Sequence, residues 1–165
     1  MEQLRYTLAL LRNGSDLLMI NRRKSPWKGC WNGVGGKLEC GESPRDCVIR
    51  EIREETGLVT QTPVYRGIVS WNAQSKAVDG MYVFAAELPD DARFAVPRAT
   101  REGILDWKPI DWVLSLDNYG AVPSLRYFLP SALNFAEVPA NFHLDFDGHA
   151  IIHAERRPLP GAFCQ

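Results

Sequence analysis

The chain has 165 residues, 45% of them apolar and 24% charged, which suits one globular domain, spanning 1–165, with a sizeable core. A net charge of −1 gives no reason to expect a nucleic-acid polymer as partner, although a small anionic ligand needs only local positive charge. No signal peptide or membrane-length apolar run is evident, and Cys30, Cys40, Cys47 and Cys164 fit neither a zinc motif nor a disulfide framework, so the expectation is a cytoplasmic protein with reduced thiols and no membrane partner.

In chain order, Leu4 to Leu11 and Leu17 to Asn21 read as two strands around an Asn13-Gly14 turn. Ser25 to Gly33 is a loop rich in Trp, Pro and Gly, and a glycine loop follows it. A helix is expected from Pro44 to Thr56, with Ser43 as N-cap, Pro44 at the first helical position, Asp46 as the capping-box acid and Gly57 as the left-handed stop. Val64 to Trp71 and Met81 to Leu88 read as strands joined through Asn72 to Gly80. Pro89 to Arg101 is a loop, and Ile104 to Trp107 a short strand. Leu114 to Gly120 leads into a second helix, Pro123 to Asn134, which Pro130 is expected to end or kink. Asn141 to Phe146 and His149 to Arg156 flank Asp147-Gly148 as a hairpin. Mixed strands with two or more helices point to an α/β fold, a sheet sandwiched between helices.

The first helix carries the chemistry. At about 100° per residue, Glu51, Glu54 and Glu55 fall within an arc of roughly 100°, beside an apolar stripe of Val48, Ile49 and Ile52. Glu51 and Glu55 are like charges four apart, and Glu54 adds to the repulsion, so a helix built only for stability gains nothing from the cluster. A cation would neutralise it. Oxygen ligands without a His or Cys pattern favour Mg²⁺ or Mn²⁺ over Zn²⁺.

These acids sit within Gly36-x5-Glu42-x7-Arg50-Glu51-Ile52-x-Glu54-Glu55-x-Gly57-Leu58. The pattern resembles the Nudix box, the signature of hydrolases that cut nucleoside diphosphates linked to another moiety. The resemblance implies an α/β/α sandwich with a mixed sheet and a pyrophosphohydrolase dependent on Mg²⁺, with Mn²⁺ as a substitute. It assigns Glu51, Glu54, Glu55 and the Gly36 carbonyl as metal ligands, the acids also as catalytic residues, and Glu42 with Arg50 as a structural ion pair. Glu102, in Thr100-Arg101-Glu102-Gly103-Ile104-Leu105-Asp106-Trp107, resembles the loop acid that adds a further catalytic and metal-binding group in the nucleotide-sanitising branch.

Arg5-Tyr6-Thr7-Leu8, Trp31 to Lys37, Gly67 to Trp71 and the C-terminal hairpin are similar to the MutT-homologue branch, whose type is 8-oxo-dGTP diphosphatase. That likeness implies conversion of a purine nucleoside triphosphate, oxidised dGTP first, to monophosphate and pyrophosphate. Thr7, Asn32, Trp71 and Tyr119 become candidates for the base pocket, and Arg22 or Arg23 for the sugar or phosphates. The branch carries an acidic pair where this chain has Ala121 and Val122, with Asp117 and Asn118 nearby. Other activities on the same box are alternatives: ADP-ribose hydrolysis, whose usual Pro is replaced by Ala73; dinucleoside-polyphosphate hydrolysis, whose Tyr is not supplied by Lys76; and RNA 5′-end pyrophosphohydrolysis. A non-catalytic nucleotide-sensing or protein-binding module is the alternative from another class. His149 and His153, four apart on an expected strand, have no acidic partner of obvious spacing.

Overall fold

The structure, a computed structural model, describes residues 4–59, 63–72 and 78–163. Ala73, Lys76 and Cys164 lie outside the described residues. Among the described residues one mixed sheet takes in nine strands: β1 Tyr6–Asn13, β2 Asp16–Arg22, β3 Trp31–Asn32, β4 Val64–Asn72, β5 Val78–Glu87, β6 Arg98–Ala99, β7 Gly103–Pro109, β8 Ala140–Asp147 and β9 Ala150–Pro158. Their order is β6-β7-β2-β1-β5-β4-β8-β9, with β3 pairing beside β2. The β1–β5 and β4–β8 pairs are parallel and the others antiparallel. The helices are α1 Pro44–Thr56, α2 Ile110–Leu114 and α3 Leu125–Leu133.

The period of two along the strands sorts the apolar residues into two cores. Leu8, Leu10, Leu17, Met19, Val83 and Ala85 face Val113 of α2 and Leu125, Phe128 and Leu129 of α3. The alternate set, Ala9, Leu11, Leu18, Ile20 and Phe84, faces Val48 and Ile52 of α1. The result is the expected α/β/α sandwich, with the acidic helix on one face and α2 and α3 on the other.

Helix α1 has the bounds read from the sequence. The Ser43 hydroxyl accepts from the Asp46 N–H at 3.1 Å, and Gly57, at φ 75°, donates its N–H to the Arg53 carbonyl at 2.9 Å. Other expectations are corrected. Both hairpin loops fall one residue later than expected, on Gly14-Ser15 and Gly148-His149, because the glycine takes the first loop position with φ 59° while Asn13 and Asp147 end their strands. Helix α3 is shorter than expected but runs through Pro130, whose ring is exposed, to Leu133. Strands β3 and β6, two residues each, lie in segments expected as loops, and helix α2, five residues long, fills most of the stretch between Trp107 and Leu114 for which no element is expected.

Candidate active site

The acidic stripe of α1 faces the glycine loop. Gly35, Gly36, Glu51, Glu54, Glu55 and Glu102 line one cavity of about 580 Å³, together with Lys37, Thr100 and Arg101. The backbone explains the glycine: a Cβ on Gly36 would overlap the Glu51 carboxylate. The Gly36 carbonyl accepts from the Thr7 N–H at 2.9 Å, which pins the loop to β1 and leaves the oxygen's second lone pair.

Each acid is in a different electrostatic setting. Burial pushes the Glu55 carboxyl up to about 8; the Gly35 N–H, donating at 3.2 Å, opposes this, while Glu51 and Glu102 add to it. Burial also raises Glu51, against the pull of Arg50, which donates to it at 2.8 Å. Glu54 is 61% exposed and reaches Arg50 at 3.4 Å. Glu102 accepts from Lys24 at 3.1 Å. Its loop is folded by Thr100, whose hydroxyl accepts from the Glu102 and Gly103 N–H groups at 3.3 and 3.2 Å.

Arg50 and Glu42 form a two-pronged pair, Nε to Oε1 at 2.8 Å and Nη2 to Oε2 at 2.9 Å. That hydrogen bonding holds Glu42 down at about 2 despite its burial. The same guanidinium donates to the Lys37 carbonyl at 3.2 Å, so it locks helix α1 to the glycine loop.

Among the described residues, no three acidic, His or Cys side chains converge on a common point at ligation distance. The reason is visible in their partners: Glu51 is turned to Arg50, Glu55 to Gly35 and Glu102 to Lys24. The donor set nevertheless fits Mg²⁺ or Mn²⁺: Glu51, Glu54, Glu55, Glu102 and Gly36 border one cavity, and burial, with the neighbouring charges of Glu51 and Glu102 adding to it, disfavours an ionised Glu55 in a way a cation would relieve.

The residues read as a base pocket are not gathered in one place. Thr7 is 4% exposed, and its hydroxyl is in contact with the Cys47 thiol of α1 at 3.3 Å. Burial pushes that thiol up to about 11 against the Thr7 hydrogen bond. Asn32 pairs with Ile20, on the α1 face, and its Oδ1 accepts from the Gly33 N–H at 2.9 Å. Trp71 packs against the opposite core, and Tyr119 is 88% exposed. Ala121 and Val122 are buried in that core, and the Val122 N–H donates to the Trp31 carbonyl at 2.9 Å. Asn118 spends both ends of its amide locally, donating to the Trp112 carbonyl of α2 at 2.7 Å and accepting from the Gly120 N–H at 2.8 Å. Arg22 lies near the acids, where its charge favours ionised Glu55, and its Nε donates to the Pro26 carbonyl at 3.0 Å. His153 contacts Glu155 at 3.3 Å, and His149 stands apart from it beside Trp27.

Three cations to which the sequence patterns give no role stand among the acids: Lys37 and Arg101, which line the acidic cavity, and Lys24 on Glu102. Lys37 follows the glycine pair and Arg101 adjoins Glu102, so proximity to assigned residues was the available signal.

The NUDIX domain family model matches residues 2–131. The ADP-ribose pyrophosphatase of Methanocaldococcus jannaschii is 39% identical over 61 residues, 37% of this chain and 36% of that protein, so the match spans little more than a third of the relative's length. The oxidized purine nucleoside triphosphate hydrolase of Mus musculus is 29% identical over 129 residues, 78% of each chain. Among solved structures, the MutT protein of Bacillus halodurans superimposes with a TM-score of 0.72 at 25% identity, covering 96% of this chain and 100% of that one. The matched glycine loop, helix α1 and loop acid are the parts that enclose the acidic cavity, and the chain belongs to the Nudix family.

Proposed function

We propose that this protein is a divalent-metal-dependent pyrophosphohydrolase of nucleoside diphosphate-linked substrates. The observation that carries the reading is that Glu51, Glu54, Glu55, Glu102 and Gly36 line one cavity. Those residues would hold Mg²⁺ or Mn²⁺, which when bound supplies charge neutralisation of the diphosphate and activation of water. Lys37 and Arg101, on the wall of the same cavity, offset the charge of the outer phosphates. Water adds to one phosphorus, the bridging P–O bond breaks, and the water proton goes to a carboxylate of the cluster. Arg50, held by Glu42, donates to Glu51 and Glu54 and so restrains both carboxylates at the cavity wall.

At the finer level we infer a purine nucleoside triphosphate pyrophosphohydrolase, releasing monophosphate and pyrophosphate, with oxidised dGTP as the first substrate to test. The likeness to the mouse enzyme along 78% of the chain supports it. A second reading, ADP-ribose hydrolysis, is favoured by the archaeal relative and by the burial of Ala121 and Val122 where an acidic pair would read the purine.

The test is a product screen, with nucleoside monophosphate and pyrophosphate separated by anion-exchange chromatography, over normal and oxidised nucleoside triphosphates, ADP-ribose, dinucleoside polyphosphates and 5′-triphosphate RNA. Turnover should require Mg²⁺ or Mn²⁺ and stop with EDTA. Glu54→Gln and Glu55→Gln should each lower kcat by roughly 10²-fold or more with the fold intact. Near-normal rates in both variants, or full turnover in EDTA, would overturn the reading. Faster ADP-ribose cleavage than 8-oxo-dGTP cleavage would select the second.

A further inference from the structure

The chain has three histidines, and the proposed hydrolysis uses none of them. The spacing of His149 and His153 pairs the wrong two. In the fold, His153 meets the surroundings of His143 instead, because β8 and β9 pair with His143 opposite Glu155 and Asp145 opposite His153. Leu144 of β8 and Ala154 of β9 face the α3-side core, so by the period of two these four side chains share the other face of the ribbon. Opposite residues of an antiparallel pair have Cβ atoms about 4.5–5.5 Å apart. The four form a square, with histidines on one diagonal and carboxylates on the other. Strand β8 is five strand spacings from β7, which follows the Glu102 loop, or about 24 Å at roughly 4.8 Å each.

The inner edge of the square is built. His143, Ser70 and Asn141 are all buried. Ser70 of β4 has one hydroxyl proton and donates it to Asn141 Oδ1 at 2.8 Å. The same Ser70 oxygen lies 2.9 Å from His143 Nδ1, so it accepts there, and Nδ1 carries the hydrogen. The other ring nitrogen, Nε2, then turns its lone pair on Asp145 Oδ1 at 3.4 Å. Two acceptors in contact repel unless a proton or a metal ion stands between them. A second edge lies across the ribbon and is exposed: His153 Nε2 and Glu155 Oε2 at 3.3 Å. Both separations are long for an N–H···O hydrogen bond, whose usual length is about 2.9 Å. In a tetrahedral zinc site with bonds of about 2.0–2.1 Å, neighbouring ligand atoms stand about 3.3–3.4 Å apart. A ligating histidine is also typically fixed by a hydrogen bond from its other ring nitrogen, as Ser70 fixes His143.

We propose that the β8–β9 ribbon binds one Zn²⁺ through His143, Asp145, His153 and Glu155, apart from the acidic cavity and independently of turnover. The buried pair is the fixed half. The exposed pair closes over the ion by side-chain rotation, since the two edges do not yet meet at one point. Arg157, which donates to Glu155 Oε2 at 3.0 Å, holds that carboxylate outward until the ion competes for it. Imidazole beside carboxylate suits Zn²⁺, whereas Mg²⁺ prefers oxygen alone. Strand β9 is the last in the sheet order, so a bound ion would staple an edge strand to its neighbour.

The experiment is calorimetric titration of the metal-free protein with ZnCl₂ in excess Mg²⁺, which competes for the acidic cavity. Wild type should bind one Zn²⁺ per chain at the ribbon. His143→Gln and His153→Ala should each weaken that binding by at least tenfold, and Ser70→Ala, which removes only the support behind His143, by about tenfold. Zn²⁺ should raise the Tm of wild type but not that of His153→Ala, whose Mg²⁺-dependent turnover should match wild type. Absence of Zn²⁺ binding in wild type, or binding unchanged in folded His143→Gln and His153→Ala, would overturn the proposal. So would binding lost in Glu55→Gln instead, which would place the ion in the acidic cavity. If His143→Gln does not fold, the exposed His153→Ala decides.

Discussion

The Arg50 guanidinium serves three carboxylates, and Glu42 is the one outside the acidic cavity. Glu42 is 13% exposed at its side chain, and its two-pronged bond with Arg50 holds its carboxyl at about 2, below the ordinary 4.5. A carboxyl whose folded pKa is depressed contributes stability that is complete above its unfolded pKa and is lost as pH falls through the folded value. Wild type and Glu42→Gln should therefore differ by a constant unfolding free energy above roughly pH 5, and the difference should narrow between about 4.5 and 2. Urea titrations across that range check this, and a gap that stays constant down to pH 2 would mean that another group carries the acid sensitivity. The same variant leaves Arg50 to Glu51 and Glu54, so its activity reports whether the helix must be locked to the glycine loop for turnover.

Helix α1 separates stability from chemistry by face. Val48 and Ile52 are fully buried under the sheet, whereas Glu54 projects into the cavity from the exposed side. Ile52→Ala should cost about 2–5 kcal/mol through lost burial and the cavity left behind, and lower Tm by about 10 °C, with kcat at 20 °C little changed. Glu54→Gln should do the reverse, and thermal melts beside initial rates distinguish the two. If Ile52→Ala abolished activity without lowering Tm, the division by face would be wrong. This helix was legible because its caps, its apolar stripe and its acids are all local. Glu102 was legible only by resemblance, and its place beside the box acids follows from β7 pairing with β2. The base pocket was not legible. Whether Thr7 points toward α1 depends on strand parity and on a partner, Cys47, forty positions away. Helix α2 and strands β3 and β6 are too short to show a period.

At the scale of the molecule, the family match ends at residue 131, yet the sheet continues through β8 and β9, and Phe142 and Leu144 fill the same core as α3. The join is a bulge in β4 between Tyr65 and Gly67. Gly67 takes φ 112° there, and a Cβ would strike the Ala140 backbone of β8. The bulge aims Arg66 under the end of α3. The guanidinium is part of a residue only 4% exposed and donates to the carbonyls of Ala132 at 3.0 Å, Ser131 at 3.4 Å, Asn134 at 2.7 Å and Glu137 at 2.8 Å. A cation at a helix C-terminus also meets the negative end of the dipole. Burial lowers the Arg66 pKa and Glu137 opposes that, a cost accepted where one guanidinium serves four carbonyls. Arg66→Met keeps much of the side-chain volume and removes every donor, leaving those carbonyls to water or to nothing. Since hydrogen bonds to charged groups contribute about 1.5–3 kcal/mol each and do not add when one guanidinium makes them all, the loss should be about 3 kcal/mol, or roughly 10 °C in Tm. The acidic cavity lies across the sheet under α1, so kcat below the transition should hold. Hydrogen exchange should show the loss concentrated in α3 and in the β4–β8 pair. Uniform loss over the sheet, with α3 still protected, would mean that Arg66 stabilises the bulge itself rather than the end of the helix.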